Sequence, residues 1–198
     1  PKYYLLADAH GYFSKKKIDR RGDPNDIKYI FVKNINSTFL IPDFLKKNFL
    51  KTIHYKKNKF FFYKTFPISL EEYTQKNINF QKGIPWAFNS LLINIYIAIA
   101  MGYKKIYLLG ADQDLYLKDS YCTELKKYYQ NKKLKKKNRY QMIATCNNFI
   151  GSWSTFRLMQ SHYSLSKYCK TNNINIMNLS QHGILDMYRS GEIKNIIK

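Results

Sequence analysis

The stretch from Ser90 to Asp114, SLLINIYIAIAMGYKKIYLLGADQD, constrains this chain more than any other. Gly83 and Pro85 punctuate its approach, and proline is tolerated in a first helical turn, so the pattern predicts a helix that starts near Ile84 to Phe88 and runs to Met101. Apolar residues occupy nearly every face between Trp86 and Met101, with Asn89, Ser90 and Asn94 as the interruptions, so the helix should be largely covered. At about sixteen residues it is too short to span a bilayer. Gly102 supplies the left-handed turn that closes a helix, and Lys104 and Lys105 lie near the negative end of its dipole. Ile106, Tyr107, Leu108 and Leu109 then form a continuous apolar run, the signature of a strand covered on both faces. Gly110, Ala111, Asp112, Gln113 and Asp114 fall at its carboxyl end, where open parallel sheets bind their ligands.

Other segments repeat this style. Short strands are expected at Lys2 to Ala7, Ile27 to Val32, Thr52 to Tyr55, Phe60 to Tyr63 and Ile174 to Asn178, with helices at Phe39 to Asn48, Ser154 to Thr171 and Gly191 to Ile197. The alternation predicts an α/β fold: one doubly wound, mainly parallel sheet with helices on both faces, spanning residues 1–198 as a single domain. The first strand ends in Asp8, Ala9, His10 and Gly11, which brings Asp8 and His10 to the same edge. Residues 20–26, rich in Gly, Pro, Asp and Asn, and residues 64–82 read as surface loops, the second as a lid.

The chain of 198 residues is long enough for a real core, with 45% hydrophobic and 17% aromatic content. Its three cysteines, Cys122, Cys146 and Cys169, have neither metal-ligand nor redox spacing and read as ordinary thiols of a reducing compartment. No Cys or His pair has zinc-ligand spacing, whereas Asp112 and Asp114 could share a hard cation through oxygen. The net charge of +21 attracts polyanions. Its lysines are spread along the chain instead of forming one stripe, which disfavours nucleic acid as a partner and leaves an anionic membrane surface or acidic glycan as the better use. The densest run, Lys126 to Arg139, reads as a solvated face.

The run AIAMGYKKIYLLGADQD, with PKYYLLAD at the front and Asn175 to Ser180 near the end, resembles bacterial glycosyltransferases of the Campylobacter-type sialyltransferase family. It is also similar to the related motility-accessory-factor and capsule or lipopolysaccharide proteins with a Rossmann-like domain. The resemblance implies a Rossmann-like fold and transfer of a sugar from a nucleotide donor such as CMP-sialic acid to a glycan acceptor, with inversion and without a metal or other cofactor. It implies donor contacts from Asn89, Ser90, Gly110, Asp112, Gln113 and Asp114, and two tyrosine hydroxyls, Tyr116 and Tyr121, that stabilise the departing phosphate. Asn89 and Ser90 serve equally as helix-capping residues, and Asp112 as a turn-capping one.

Two departures accompany the likeness. Ser152 stands after Gly151 where the family has its histidine base, leaving His182, in the loop after the last strand, as the candidate, with His162 on a helix. The family's opening strand and Gly-x-Gly-Pro-Ser phosphate loop have no counterpart, so the chain reads either as truncated at its front or as having lost the donor cradle. The resulting expectation is a cytoplasmic enzyme of surface polysaccharide biosynthesis, peripheral at the inner membrane. Its alternatives are a non-catalytic member of the same fold that binds a glycan or partner, and a basic nucleic-acid-binding protein.

Overall fold

The computed structural model describes residues 2–6, 30–34, 36–52, 58–66, 77–87, 89–111, 113, 148–180 and 184–196. The chain divides into two compact units, Pro1–Tyr103 and Lys104–Lys198, each mixed α/β with a parallel three-stranded sheet among its described residues.

In the first unit the strands are β1 (Tyr3–Leu5), β2 (Thr38–Pro42) and β3 (Lys59–Tyr63), adjacent in that order. Tyr4 pairs with Phe39 and Phe39 with Phe60. Since side chains alternate across a strand, this register puts Tyr4, Phe39, Ile41, Phe60 and Phe62 on one face. Helix α1 (Lys46–Thr52) and the helical residues 30–33 supply Phe49 and Phe31 to the same cluster. Phe31 meets Phe39 edge-on at 4.6 Å and Phe60 at 5.6 Å, the T-shaped geometry that aromatic quadrupoles favour. On the opposite face Phe61 meets Phe80 at 5.0 Å, and helix α2 (Ser90–Ala100) faces Tyr3, Leu5 and Leu40 across a small hollow. The first sheet therefore carries covering elements on both sides.

Three expectations are corrected here. Residues 30–33 are helical, not part of a strand, because Phe31 reaches the aromatic core from a helical turn. Phe39–Pro42 is strand, not helix: the run is buried residue after residue, as the middle strand of three must be, and Pro42 with Asp43 begins the following short 3-10 helix, Asp43–Leu45. The α2 helix begins at Ser90, later than Pro85. The residue before a proline is steered to extended backbone, and Ile84 accordingly pairs with Thr65, its N–H donating to the Lys64 carbonyl at 2.8 Å.

That pairing fastens the two ends of the 64–82 segment. Gly83 turns beside it at φ +105°, and a β-carbon there would stand 2.8 Å from Cε2 of Phe66. Gly83→Ala is expected to destabilise the protein by about 1–3 kcal/mol, from the positive φ and the displaced ring together; thermal and urea unfolding measure it.

In the second unit β4 (Lys105–Leu108), β5 (Asn175–Asn178) and β6 (Arg189–Ser190) are adjacent and parallel. Lys105 pairs with Asn175, and Met177 with Arg189. Helix α3 (Asn148–Thr171) packs on β5 and buries Ser161, His162, Leu165 and Cys169. The strand expectations at Ile106 to Leu109 and Ile174 to Asn178 hold within a residue, but β4 is not covered on both faces as its apolar run implies, since Tyr107 and Leu109 are exposed. Where the pattern predicts a helix at Gly191 to Ile197, just after β6, the described residues hold a 3-10 turn, Ile193–Asn195. The expected single sheet is thus two sheets of three strands among the described residues. No helix among those residues is long and apolar enough to cross a membrane.

Both long helices close in the same way. Gly102 takes φ +87°, its N–H donates to the Ile99 carbonyl at 2.8 Å, and the Tyr103 N–H donates to Ala98 at 3.1 Å. Asn173, at φ +55°, donates to Lys170, while Ile174 donates to Cys169 at 2.9 Å. These paired bonds satisfy the last carbonyls of each helix, the Schellman arrangement that a left-handed residue permits.

Candidate functional site

The carboxyl edge of β4 and β5 is built by backbone first. Leu108 ends β4, and its carbonyl accepts from the Leu179 N–H at 2.8 Å, which extends the pairing one step past β5. The chain then bends at Gly110, where φ is +65°. Nothing lies within 4 Å of the place a β-carbon would occupy, so Gly110 is required by its backbone angle while the space beside it stays open. The Ala111 N–H donates to Ser180 Oγ at 2.8 Å, and the Ser180 N–H donates to Asn178 Oδ1 at 3.0 Å. Asn178 is buried, and its main-chain carbonyl accepts from Gly191 at 3.0 Å. One carboxamide and one hydroxyl thus lock the turn after β4 to the turn after β5. Gln113, half-buried at φ +55°, follows on the same loop.

The candidate residues fall as follows. Gly110 and Gln113 stand on this edge. Asp112 lies outside the described residues, between Ala111 and Gln113 in the chain; Asp8, His10, Asp114, Tyr116, Tyr121 and His182 also lie outside them. Asn89 and Ser90 belong to the first unit. Asn89 is the N-cap of α2: its Oδ1 accepts from the Leu92 N–H at 2.9 Å, which satisfies one of the orphan donors of the first turn. Ser90 is exposed and accepts from Asn94 Nδ2 through its main-chain carbonyl at 2.9 Å. Sequence reading passes over Ser180 and Asn178 as site residues. Their signal is a polar pair, Asn-x-Ser, set immediately after an apolar strand.

Histidine chemistry divides by burial. His162 is fully buried on α3, and its Nδ1 lies 3.0 Å from the Tyr188 hydroxyl, which also reaches the His162 carbonyl at 3.3 Å. With Nδ1 protonated, the imidazole donates to the phenol and the phenol donates to the carbonyl, leaving Nε2 as a buried lone pair and not an unsatisfied N–H. Burial lowers its pKa to about 4, so the ring is neutral at physiological pH and closed to substrate. Among the described residues His162 is therefore a structural histidine, and the base of any transfer reaction has to be sought elsewhere.

The Cys169 thiol is likewise pushed up by burial, to about 12, and is inert as a nucleophile. No three His, Cys, Asp or Glu side chains gather among the described residues. A groove of about 630 Å³ opens on the second unit between Tyr107, Met177, Arg189, Ser190, Glu192 and Asn195. The hollow in the first unit is smaller, about 180 Å³, and is lined mainly by apolar side chains together with Tyr3, Tyr103 and Asn94, whose amide is already bonded to Ser90.

No family model, curated protein or solved structure matches the chain.

Proposed function

We propose that this chain is a glycosyltransferase-like protein of surface polysaccharide assembly, serving lipopolysaccharide, lipooligosaccharide or capsule. It holds a nucleotide-activated sugar such as CMP-sialic acid at the carboxyl edge of β4 and β5 and passes the sugar to a glycan acceptor with inversion. The finer fold this requires is Rossmann-like, and two all-parallel triplets, the first covered on both faces, are the material of such a domain. The observation that carries the reading is the Gly110 turn: a left-handed glycine with open space beside it, at the carboxyl end of a parallel strand and braced from the next strand by Ser180 and Asn178.

In this reading Asp112, next in sequence to the braced Ala111, accepts hydrogen bonds from donor hydroxyls, and Gln113 and Asp114, which follow it in the chain, add further polar contacts. Asn89 and Ser90 belong to the first unit, where their bonds are those of a helix start: Asn89 Oδ1 caps α2 and the Ser90 carbonyl accepts from Asn94. His182, two residues beyond Ser180, takes the proton of the acceptor hydroxyl as its oxygen bonds to the sugar. The bond from sugar to phosphate breaks on the opposite side, and the hydroxyls of Tyr116 and Tyr121 donate to the departing phosphate. Neither metal nor cofactor enters this scheme. A cytoplasmic protein in peripheral contact with the inner membrane suits an acceptor carried on lipid.

CMP is expected to raise the melting temperature, and Asp112→Ala to reduce release of CMP from CMP-sialic acid roughly ten- to a hundredfold, the worth of a charged hydrogen bond. Absence of any shift with CMP, UMP and GMP would overturn the reading. A shift without turnover in the unaltered protein would instead identify a binding protein of the same fold, in keeping with Ser152 at the family's histidine position.

A further inference from the structure

Helix α3 carries its chemistry on two opposite sides. The buried side is Ser161, His162, Leu165, Ser166 and Cys169. Opposite them, at alternating spacings of three and four residues, stand Trp153, Phe156, Gln160, Tyr163, Lys167 and Lys170, which share one helix face. The three aromatic rings on that face are 51%, 62% and 52% exposed. Arg157 lies 5.9 Å from the Trp153 ring and Lys167 4.3 Å from the Tyr163 ring, so cations accompany two of the three rings. All 24 residues of the helix lack an acidic side chain.

We propose that this face of α3 is the surface by which the protein lies on an anionic lipid bilayer, the helix axis parallel to the membrane plane. The rings of Trp153, Phe156 and Tyr163 enter the boundary between headgroups and acyl chains, where tryptophan and tyrosine are at home because each is apolar over its body and polar at one point. Lys167 and Lys170, both exposed, meet lipid phosphates. From Trp153 to Lys170 the stripe runs about 26 Å at the helical rise of ~1.5 Å per residue, long enough to span several headgroups and too polar along its length to cross. Charge selects the occupant. A second copy of this chain would bring the same cations and another +21 against the first, whereas anionic lipid neutralises them. The surface is independent of the donor site, and a protein without nucleotide affinity would still possess it.

The test is co-sedimentation of the full chain with vesicles of phosphatidylcholine and phosphatidylglycerol in equal parts, against pure phosphatidylcholine. The chain has two tryptophans, so Trp86→Phe leaves Trp153 as the sole reporter, and its emission is expected to shift to the blue only on the anionic vesicles. Replacing Trp153, Phe156 and Tyr163 together by serine should weaken binding roughly tenfold or more. Lys167→Glu and Lys170→Glu should each weaken it about fivefold. Circular dichroism of each variant confirms the fold. Binding that survives loss of the rings and leaves Trp153 emission unmoved would overturn the proposal, since lysines elsewhere would then suffice. It would equally be overturned if the serine variant lost binding to single-stranded oligonucleotides while keeping the vesicles, or if the rings proved to hold a dimer together in solution.

Discussion

Phe39→Ala is expected to cost about 3–5 kcal/mol, the range for emptying a large aromatic site in a packed core. Phe39 is wholly buried in the middle strand of the first sheet, with Tyr4 stacked on it at 5.4 Å, Phe31 edge-on at 4.6 Å and Phe60 at 5.9 Å. The vacated space cannot collapse easily, because those neighbours belong to two strands and a helical turn whose backbones are fixed by one another. A domain is stable by only about 5–15 kcal/mol, so the loss would leave the first unit near unfolding at ambient temperature. Phe39→Leu keeps most of the volume and should cost about 1 kcal/mol. Urea unfolding followed by near-ultraviolet circular dichroism separates the two variants, and equal costs would show that the cluster is loosely packed.

The second large effect concerns acid. In the unfolded chain His162 takes up its proton near the ordinary value of 6.5, while in the folded chain burial holds protonation off until about 4. Between those values the unfolded state binds more protons, so stability is fully present above 6.5 and falls as the pH falls toward 4. The loss across the window is about 3 kcal/mol at most. Melting temperatures recorded from pH 7 to pH 4 should therefore decline. In His162→Phe the decline should flatten, because the ring no longer titrates and Tyr188 keeps its bond to the carbonyl of residue 162. An unchanged slope in that variant would assign the acid sensitivity to other groups.

The parts of the fold that were legible share a cause. Ile106 and Leu108 of β4, Ile176 of β5 and the apolar body of α2 stand between polar or glycine punctuation, so local pattern and backbone pairing agree there. The errors arise where they conflict. Phe39 to Asn48 has a helical rhythm, yet its first four residues are claimed by backbone pairing with β1 and β3 on either side. Pro42 and Asp43 marked the junction, since proline belongs at a helix start and not inside one. Asn89 was legible as a cap from its type and place, and Pro85 misled because it follows Ile84, a residue committed to an extended bridge. At the candidate site, Gly110 could be read from the chain because a glycine directly after an apolar run has few other uses. The brace from Ser180 could not, because it joins residues 69 apart, and no local pattern records which hydroxyl meets which amide.

The left-handed Asn173 at the end of α3 bears on where this protein can change without losing its shape. Ile174 closes the helix, Asn175 begins β5 and donates to the Lys104 carbonyl at 2.8 Å, and the Lys104 ammonium donates to the Asn172 carbonyl at 3.3 Å. The phase of the strand is thus clamped from its amino end. A single residue inserted or removed here would exchange the two faces of β5, bringing Asn175 and Met177 inward and turning Ile176 and Asn178 out. At the opposite end of β5 the constraint is of another kind: the turns after Leu108 and Asn178 are held by the Ala111 N–H on Ser180 Oγ and the Ser180 N–H on Asn178 Oδ1. A change of length there would break that brace while leaving the two faces of β5 as they are.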